Sequence, residues 1–192
     1  MNYPSVLAGL VATRALPPEP VATTALLHLL ERSVAARQAL SDLSARLCPG
    51  LPSHLDWAEQ VRDESDTGRP DLVGTDDLGA RVIIEAKFDA ELTSAQRSRV
   101  YLDRLVGEAP GLLLFIAPPS RLPSLWPELL VGPAAVAAPP PPNPDDEKES
   151  LLTRQVGTRV VALVTWSTLL SGLGASIGDP AERADLDRSS PR

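Results

Sequence analysis

The sequence predicts an α/β fold in which a central mixed β-sheet is flanked by helices. One observation is the order of patterns along the chain, which runs helix, three strands, helix, strand, long loop, strand, helix. Another is that two segments, GLLLFIAP and TRVVALVTW, are continuously apolar, as strands are when helices cover both faces of their sheet. With 192 residues, of which 43% are hydrophobic, the chain is long enough for a substantial core, and we expect one domain over residues 1–178.

A helical pattern begins the domain at residues 21–47. Apolar side chains recur there at spacings of three and four residues, which indicates one long amphipathic helix or two short ones. Pro49, Gly50 and Pro52 should end it, because proline cannot continue the hydrogen-bond ladder and glycine suits the left-handed cap. A strand is expected to follow.

Three antiparallel strands are predicted next. HLDWAEQVRDES alternates in part, with Leu55, Trp57 and Val61 as candidates for its buried side. PDLVGT and ARVIIEAKF are rich in branched residues and flank DDLG, whose residues favour a turn. These last two segments therefore predict a hairpin.

The second half begins with a predicted helix over residues 93–106 and the apolar strand GLLLFIAP. No pattern is recognisable after that strand until a polyproline and charged segment at residues 133–150, which predicts a flexible loop. TRVVALVTW predicts a strand, and STLLSGL a short helix with Ser167 or Thr168 as its N-cap. Residues 179–192 predict a disordered tail.

Composition excludes several classes of protein. A net charge of -7 is unlike that of proteins that coat nucleic acid by bulk electrostatics, although a local basic groove is compatible with it. One cysteine and two histidines leave no intramolecular disulfide and no all-protein zinc site, so any metal must be held by oxygen ligands. Without a signal sequence or a membrane-spanning apolar run, the chain is expected in the cytoplasm, with no membrane association.

One stretch of the hairpin, GRPDLVGTDDLGARVIIEAKF, carries unusual charges. Lys87 is one of only two lysines in the chain, against sixteen arginines. Because side chains alternate along a strand, Glu85 and Lys87 share one face, while Ile84 and Ala86 point to the other. An exposed charge pair is the simplest interpretation, and a functional cluster with Asp71 of the preceding strand is the alternative.

The functional interpretation depends on the register of the hairpin. If Asp71 lies opposite Glu85, a regular ladder places Thr75 opposite Arg81 and leaves a five-residue loop, 76–80. A tighter turn would put Asp71 on the wrong face unless a β-bulge corrects the register. Two converging carboxylates and a carbonyl at a strand end are hard oxygen ligands of the kind that suits Mg²⁺. A neighbouring lysine could orient a water and stabilise charge on a phosphoryl oxygen.

Pro70-Asp71 followed after fourteen positions by Glu85-Ala86-Lys87 resembles the motif of the PD-(D/E)XK nuclease superfamily, and the resemblance covers residues 19–170. It implies the restriction-endonuclease-like αβββαβ core and Mg²⁺-dependent hydrolysis of DNA in repair, restriction or defence, with Mn²⁺ able to replace Mg²⁺. Asp71 and Glu85 would be metal ligands together with the backbone carbonyl of Ala86, and Lys87 would be the catalytic lysine.

Further roles follow from the same resemblance. Glu19 matches an acid that many members carry at the first helix, and Glu31 is a weaker match. Some members have a glutamine and a tyrosine four apart on the next helix; Gln96 and Tyr101 are five apart here, which rotates them by about 140°. Gln96 could contact substrate, or form a capping box with Thr93. The Arg97 and Arg99 side chains could line a DNA groove, or a solvated helix face.

A catalytically inactive member of the same fold, acting as a DNA-binding or protein-interaction module, is the alternative function, and the acidic net charge favours it. A homodimer is compatible with the resemblance, since many nucleases of this fold pair two subunits to cut two strands. The proline-rich loop at residues 133–150 could bind a protein partner or act as a spacer.

Overall fold

The computed structural model describes residues 18–59, 70–88, 98–130 and 151–176. The helices in these ranges are α1 (Pro18–Arg32), α2 (Val34–Leu47), α3 (Ser98–Arg104), α4 (Leu122–Leu129) and α5 (Trp166–Ser176). The strands are β1 (Asp56–Ala58), β2 (Leu72–Asp76), β3 (Gly79–Ala86), β4 (Gly111–Ala117), β5 (Leu151–Val156) and β6 (Arg159–Thr165). None of the helices described is long and apolar enough to cross a membrane. The predicted loop at 133–150 and the predicted tail at 179–192 lie outside the described residues.

The six strands form one mixed sheet in the order β1-β2-β3-β4-β6-β5. The first three strands are antiparallel to one another, as predicted. Strands β3, β4 and β6 are parallel, and β5 is antiparallel to β6 at the edge. Helices flank this sheet, so the predicted α/β class is confirmed.

Two apolar clusters, one on each face of the sheet, form the core. Helices α1, α2 and α5 pack on one face, and α3 and α4 pack on the other. Alternation along β3 divides its side chains between them, since Ile84 belongs to the first cluster and Ile83 to the second. Glu85 and Lys87 therefore point to the face that α3 and α4 cover. Because both faces of β3 are covered from Arg81 onward, the two charged residues of this strand, Arg81 and Glu85, are buried.

The first helical pattern forms two helices, which was one of the two alternatives. Ser33 separates them with an extended backbone, and its hydroxyl accepts a hydrogen bond from the Ala36 amide at 3.1 Å. The Arg37 guanidinium donates to the carbonyl of Leu30 at 2.6 Å, which satisfies the end of α1. Side chains thus satisfy backbone groups at both the end of α1 and the start of α2.

The hairpin of β2 and β3 has a tighter turn than the regular ladder predicts. Asp76 pairs with Gly79, so the connection is the two-residue segment 77–78, and the predicted five-residue loop is wrong. The Asp76 carboxylate accepts from the amides of Leu78 and Gly79 at 2.9 and 3.2 Å. Gly79 takes a positive φ of 127°, which an L side chain rarely adopts. These local bonds explain why the short turn forms.

A β-bulge follows the turn. Thr75 pairs with Ala80, and not with Arg81 as the regular ladder predicts, whereas Gly74 pairs with Val82. Arg81 is therefore an extra residue on β3. The alternative with a tighter turn and a correcting bulge is the one that forms.

One strand, one α-helix and the short 3-10 helix Pro119–Arg121 before it were not predicted, and one helix begins earlier than predicted. Strand β5 was missed because its sequence, LLTRQV, mixes polar and apolar residues at an edge where side chains are only partly buried. Helix α4 was missed because proline occupies its first turn at Pro123 and its interior at Pro127. Helix α5 begins at Trp166, and its cap is Thr165, not Ser167 or Thr168, because the Thr165 hydroxyl accepts from the Thr168 amide at 3.2 Å.

Helix α3 is a short element that tertiary contacts hold in place. Its seven residues are too few for a stable isolated helix. The Arg159 guanidinium of β6 donates to three carbonyls in the last turn of α3 and just after it, those of Leu102, Leu105 and Gly107. The Val106 amide also donates to the Ala80 carbonyl of β3 at 2.9 Å. The position of α3 is thus fixed against the sheet from both sides of β4.

Gly74→Ala should destabilise the protein by about 1–3 kcal/mol, because the added Cβ would lie 2.8 Å from the Trp57 ring. Gly172→Ala is the matched control: an added Cβ there meets nothing within 4 Å, and alanine favours α5 by about 1 kcal/mol. Urea unfolding of the two variants measures the difference. Equal stabilities would contradict the close packing of β1 on β2.

Candidate functional site at the end of β3

Glu85 and Lys87 form a buried ion pair where β3 ends. Lys87 Nζ lies 2.9 Å from Glu85 Oε1, and the two residues are 3% and 2% exposed. The Lys87 amide donates to the Ile116 carbonyl at 2.8 Å, so the backbone continues the parallel ladder with β4 one residue beyond the strand. The interpretation as an exposed surface pair is therefore wrong.

Asp71 joins this pair from the residue before β2. Leu72 lies opposite Ile84, so the next position of the ladder places Asp71 opposite Glu85. The Asp71 carboxylate accepts a hydrogen bond from the Ala86 amide at 2.7 Å through Oδ2. The structure thus brings together the three residues that the sequence singled out.

Tyr101 is a fourth member of the cluster, contributed by α3. It is fully buried, and its hydroxyl donates to Glu85 Oε2 at 3.1 Å. The Arg104 guanidinium lies 5.5 Å from the centre of the tyrosine ring. Sequence reasoning noted Tyr101 but gave it no place in the site, because its spacing from Gln96 did not fit. The available signal was a tyrosine next to Leu102 on the apolar side of an amphipathic helix, where a buried hydroxyl needs a polar partner.

The electrostatics of the cluster centre on Glu85. Burial, and then the neighbouring charge of Asp71, raise the pKa of Glu85 to about 7, although Lys87 and the Tyr101 hydroxyl act in the opposite direction. Burial, and then Glu85, raise the pKa of Tyr101, which therefore remains a hydrogen-bond donor. Two carboxylates thus face each other beside one ammonium group, and a further positive charge would relieve their repulsion.

The donor set fits a cation that keeps several of its own waters. Asp71 and Glu85 offer carboxylate oxygens, and Ala86 offers a carbonyl at the strand end, all of them hard ligands. Within the described parts of the chain no group of three or more acidic, histidine or cysteine side chains could hold a metal. Two carboxylates with water suit Mg²⁺, which is rarely held by protein ligands alone.

The structure describes the side chain of only one of the remaining predicted site residues, Glu31. Residues 89–97, which include Gln96 and Arg97, lie outside the described residues, as do the side chains of Glu19 and Arg99. Glu31 is exposed on α1, where its carboxylate lies 3.8 Å from His28 Nδ1, and α1 packs on the opposite face of the sheet. Glu31 is therefore not a ligand candidate.

Tyr101→Phe should remove a donor from Glu85 and leave the ring packing intact. We expect a loss of about 1–2 kcal/mol in the free energy of unfolding. The pKa of Glu85 should rise further, because the tyrosine hydrogen bond favours the ionised carboxylate. Carbon-13 NMR titration of the Glu85 carboxyl measures this directly. A pKa equal to that of the wild type would show that the hydroxyl does not bind Glu85.

Stability of the metal-free protein should fall as the pH rises from 5 to 8. The raised pKa of Glu85 means that the folded state keeps this proton longer than the unfolded chain does. The contribution is complete below the unfolded pKa of about 4.5, is lost as the pH passes about 7, and amounts to about 3 kcal/mol. Urea unfolding in EDTA should show a smaller decrease for Glu85→Gln. Identical pH profiles would rule out Glu85 as the titrating group.

Comparisons with known proteins give no relative from which a function could be transferred. No protein-family model matches the chain, and comparisons with curated proteins and with solved structures find no match.

Proposed function

We propose that the protein is a Mg²⁺-dependent nuclease of the PD-(D/E)XK type that hydrolyses phosphodiester bonds of DNA. The observation that carries the proposal is the convergence of Asp71, Glu85 and Lys87 on one face of the sheet. These residues converge because the hairpin register places Asp71 opposite Glu85. A shift of one residue would point the Asp71 side chain to the other face of the sheet, so this convergence is not a general property of paired strands.

The order of elements supports the same assignment. Helices α1 and α2, three antiparallel strands, helix α3 and the parallel strand β4 follow one another as in an αβββαβ core. The cluster lies where β3 ends, beside the parallel strand β4. Ligand sites in sheets with parallel strands commonly occur at the carboxyl ends of the strands.

Asp71, Glu85 and the Ala86 carbonyl are the groups that would hold the cation. Asp71 accepts from the Ala86 amide and Glu85 from Lys87 and Tyr101; since each carboxylate oxygen has two lone pairs, such an oxygen can accept from a donor and bind a cation at the same time. Bound Mg²⁺ would supply Lewis-acid chemistry, which lowers the pKa of water and stabilises charge on a phosphoryl oxygen. Release of the Glu85 proton would accompany cation binding, because ligands bind metals in their deprotonated form.

Lys87 would act on the substrate directly. Its ammonium group has three donors, of which Glu85 takes one at 2.9 Å. The others could orient water or stabilise the negative charge that develops on the phosphoryl group. Burial strengthens such an interaction, since the local dielectric constant is lower than that of water.

A second candidate function has an observation in its favour. Glu85 and Lys87 are 2% and 3% exposed and already satisfy each other, as a purely structural ion pair would. Together with a net charge of -7, this burial favours a non-catalytic module of the same fold that binds DNA or a protein. The two candidates differ in whether DNA is cut.

Purified protein should cut linear, circular or single-stranded DNA in Mg²⁺ or Mn²⁺ and not in EDTA. Asp71→Asn and Lys87→Met should each lower the rate by about 100-fold or more, the usual cost of losing a group that stabilises the transition state. Asp103→Asn, at an exposed position of α3, and Lys148→Met, at the other lysine, are matched controls that should cut normally. Cleavage that survives both site substitutions would reject this site, and no cleavage of any substrate would favour the module.

A further inference from the structure

We propose that Arg81 is a positioning residue, which, together with Asp76, sets the hairpin register that brings Asp71 to Glu85. Arg81 lies outside the cluster itself. Its relevance to catalysis rests on the proposed nuclease function, whereas its effect on the register can be measured independently.

The register changes at one point of the hairpin. From the turn as far as Thr75 and Ala80 the two strands pair in one register, and from Gly74 and Val82 onward they pair in the other. Arg81 is the residue on β3 that has no separate partner on β2. A single extra residue therefore separates the short turn from the ladder that contains Asp71.

Without this bulge the same turn would misplace the site. A regular ladder from Asp76 and Gly79 would put Gly74 opposite Arg81 and Leu72 opposite Ile83. Asp71 would then lie opposite Ile84, so its side chain would point away from the face that carries Glu85 and Lys87. The two-residue turn and the three-residue cluster are compatible only when one extra residue lies between them.

One carboxylate connects the turn to the bulge. Asp76 Oδ1 accepts the two amides that close the turn, at 2.9 and 3.2 Å, and Asp76 Oδ2 lies 3.5 Å from a terminal nitrogen of Arg81. Arg81 is only 4% exposed, and its Nε is buried without a hydrogen-bond partner. A buried guanidinium needs a negative partner, so the ion pair with Asp76 keeps the extra residue at position 81.

The decisive comparison is between Arg81→Met and deletion of Arg81. The methionine variant keeps the extra residue and loses its ion pair, so we expect the bulge to become mobile and a slipped register to be populated. The deletion variant loses the ion pair as well, but it also lacks the extra residue. A regular ladder from the same turn therefore still places Asp71 opposite Glu85. If Arg81 acted only through stability, deletion would be at least as harmful as substitution.

Cross-strand NOEs in an NMR spectrum measure the register without reference to activity. Wild type and the deletion variant should show contacts from Leu72 to Ile84, and Arg81→Met should add contacts from Leu72 to Ile83. Arg121→Met is the matched control, because it removes another arginine–carboxylate pair with a separation of 3.5 Å, that with Glu128, far along the chain from the hairpin. An Arg81→Met spectrum with native contacts alone would overturn the proposal.

Metal-dependent DNA cleavage gives the second readout, measured well below the melting temperature of each variant. Arg81→Met should cut at least tenfold more slowly through kcat with KM little changed, whereas the deletion and Arg121→Met should stay within a few-fold of wild type. Loss of cleavage in the deletion variant with its native register intact would also overturn the positioning role. If wild type cuts no DNA, the proposed function fails and the NOEs alone decide this inference.

Discussion

The alternation of side chains along β3 is the constraint on which the rest of the structure depends. This strand is bonded to β2 on one side and to β4 on the other, and helices cover both of its faces. Ile84 and Ala86 therefore complete one apolar cluster, while Glu85 and Lys87 must enter the opposite face with no access to bulk water. Two charges in such a place are stable only if each finds partners. Glu85 and Lys87 pair with each other and Tyr101 on α3 donates to Glu85, whereas Asp71 before β2 accepts from the Ala86 amide and adds a second negative charge.

Burial of the charges in this cluster costs folding free energy, and it also raises the pKa of Glu85 toward neutral pH. A carboxylate that retains a pKa of about 7 exchanges protons near neutral pH, and cation binding would shift that equilibrium. The same burial explains why a structural ion pair and a catalytic site are the two interpretations that compete here. A structural pair needs only that Glu85 and Lys87 satisfy each other. A nuclease site also needs Asp71 to face them, and Asp71 accepts from the Ala86 amide but adds like-charge repulsion with Glu85.

The elements around the cluster are held by contacts between distant parts of the chain. Helix α3, which carries Tyr101, is fixed at its C-terminal end by Arg159 of β6 and by a backbone bond to β3. At the other side, the Trp57 ring covers Gly74 and its indole nitrogen donates to Ser41 of α2, so β1 ties the hairpin to the helical layer. Displacement of any of these elements would change the distances in the cluster, although none of the contacts involves a charged member of it.

Local sequence patterns determined the α/β class, the antiparallel order of the first three strands, and the shared face of Glu85 and Lys87, because periodicity and alternation depend on near neighbours alone. They did not reveal β5 or α4, whose polar edge pattern and prolines resemble loop sequence. Tyr101 joined the cluster only through the packing of α3, which no spacing along the chain specifies. The sequence left open which turn joins β2 and β3 and therefore which face the Asp71 side chain points to. A five-residue loop with a regular ladder and a two-residue turn with a bulge fit the same hydrophobic pattern. Only the tertiary structure decided between these two, through an ion pair between Asp76 and Arg81 that becomes possible once the turn has closed.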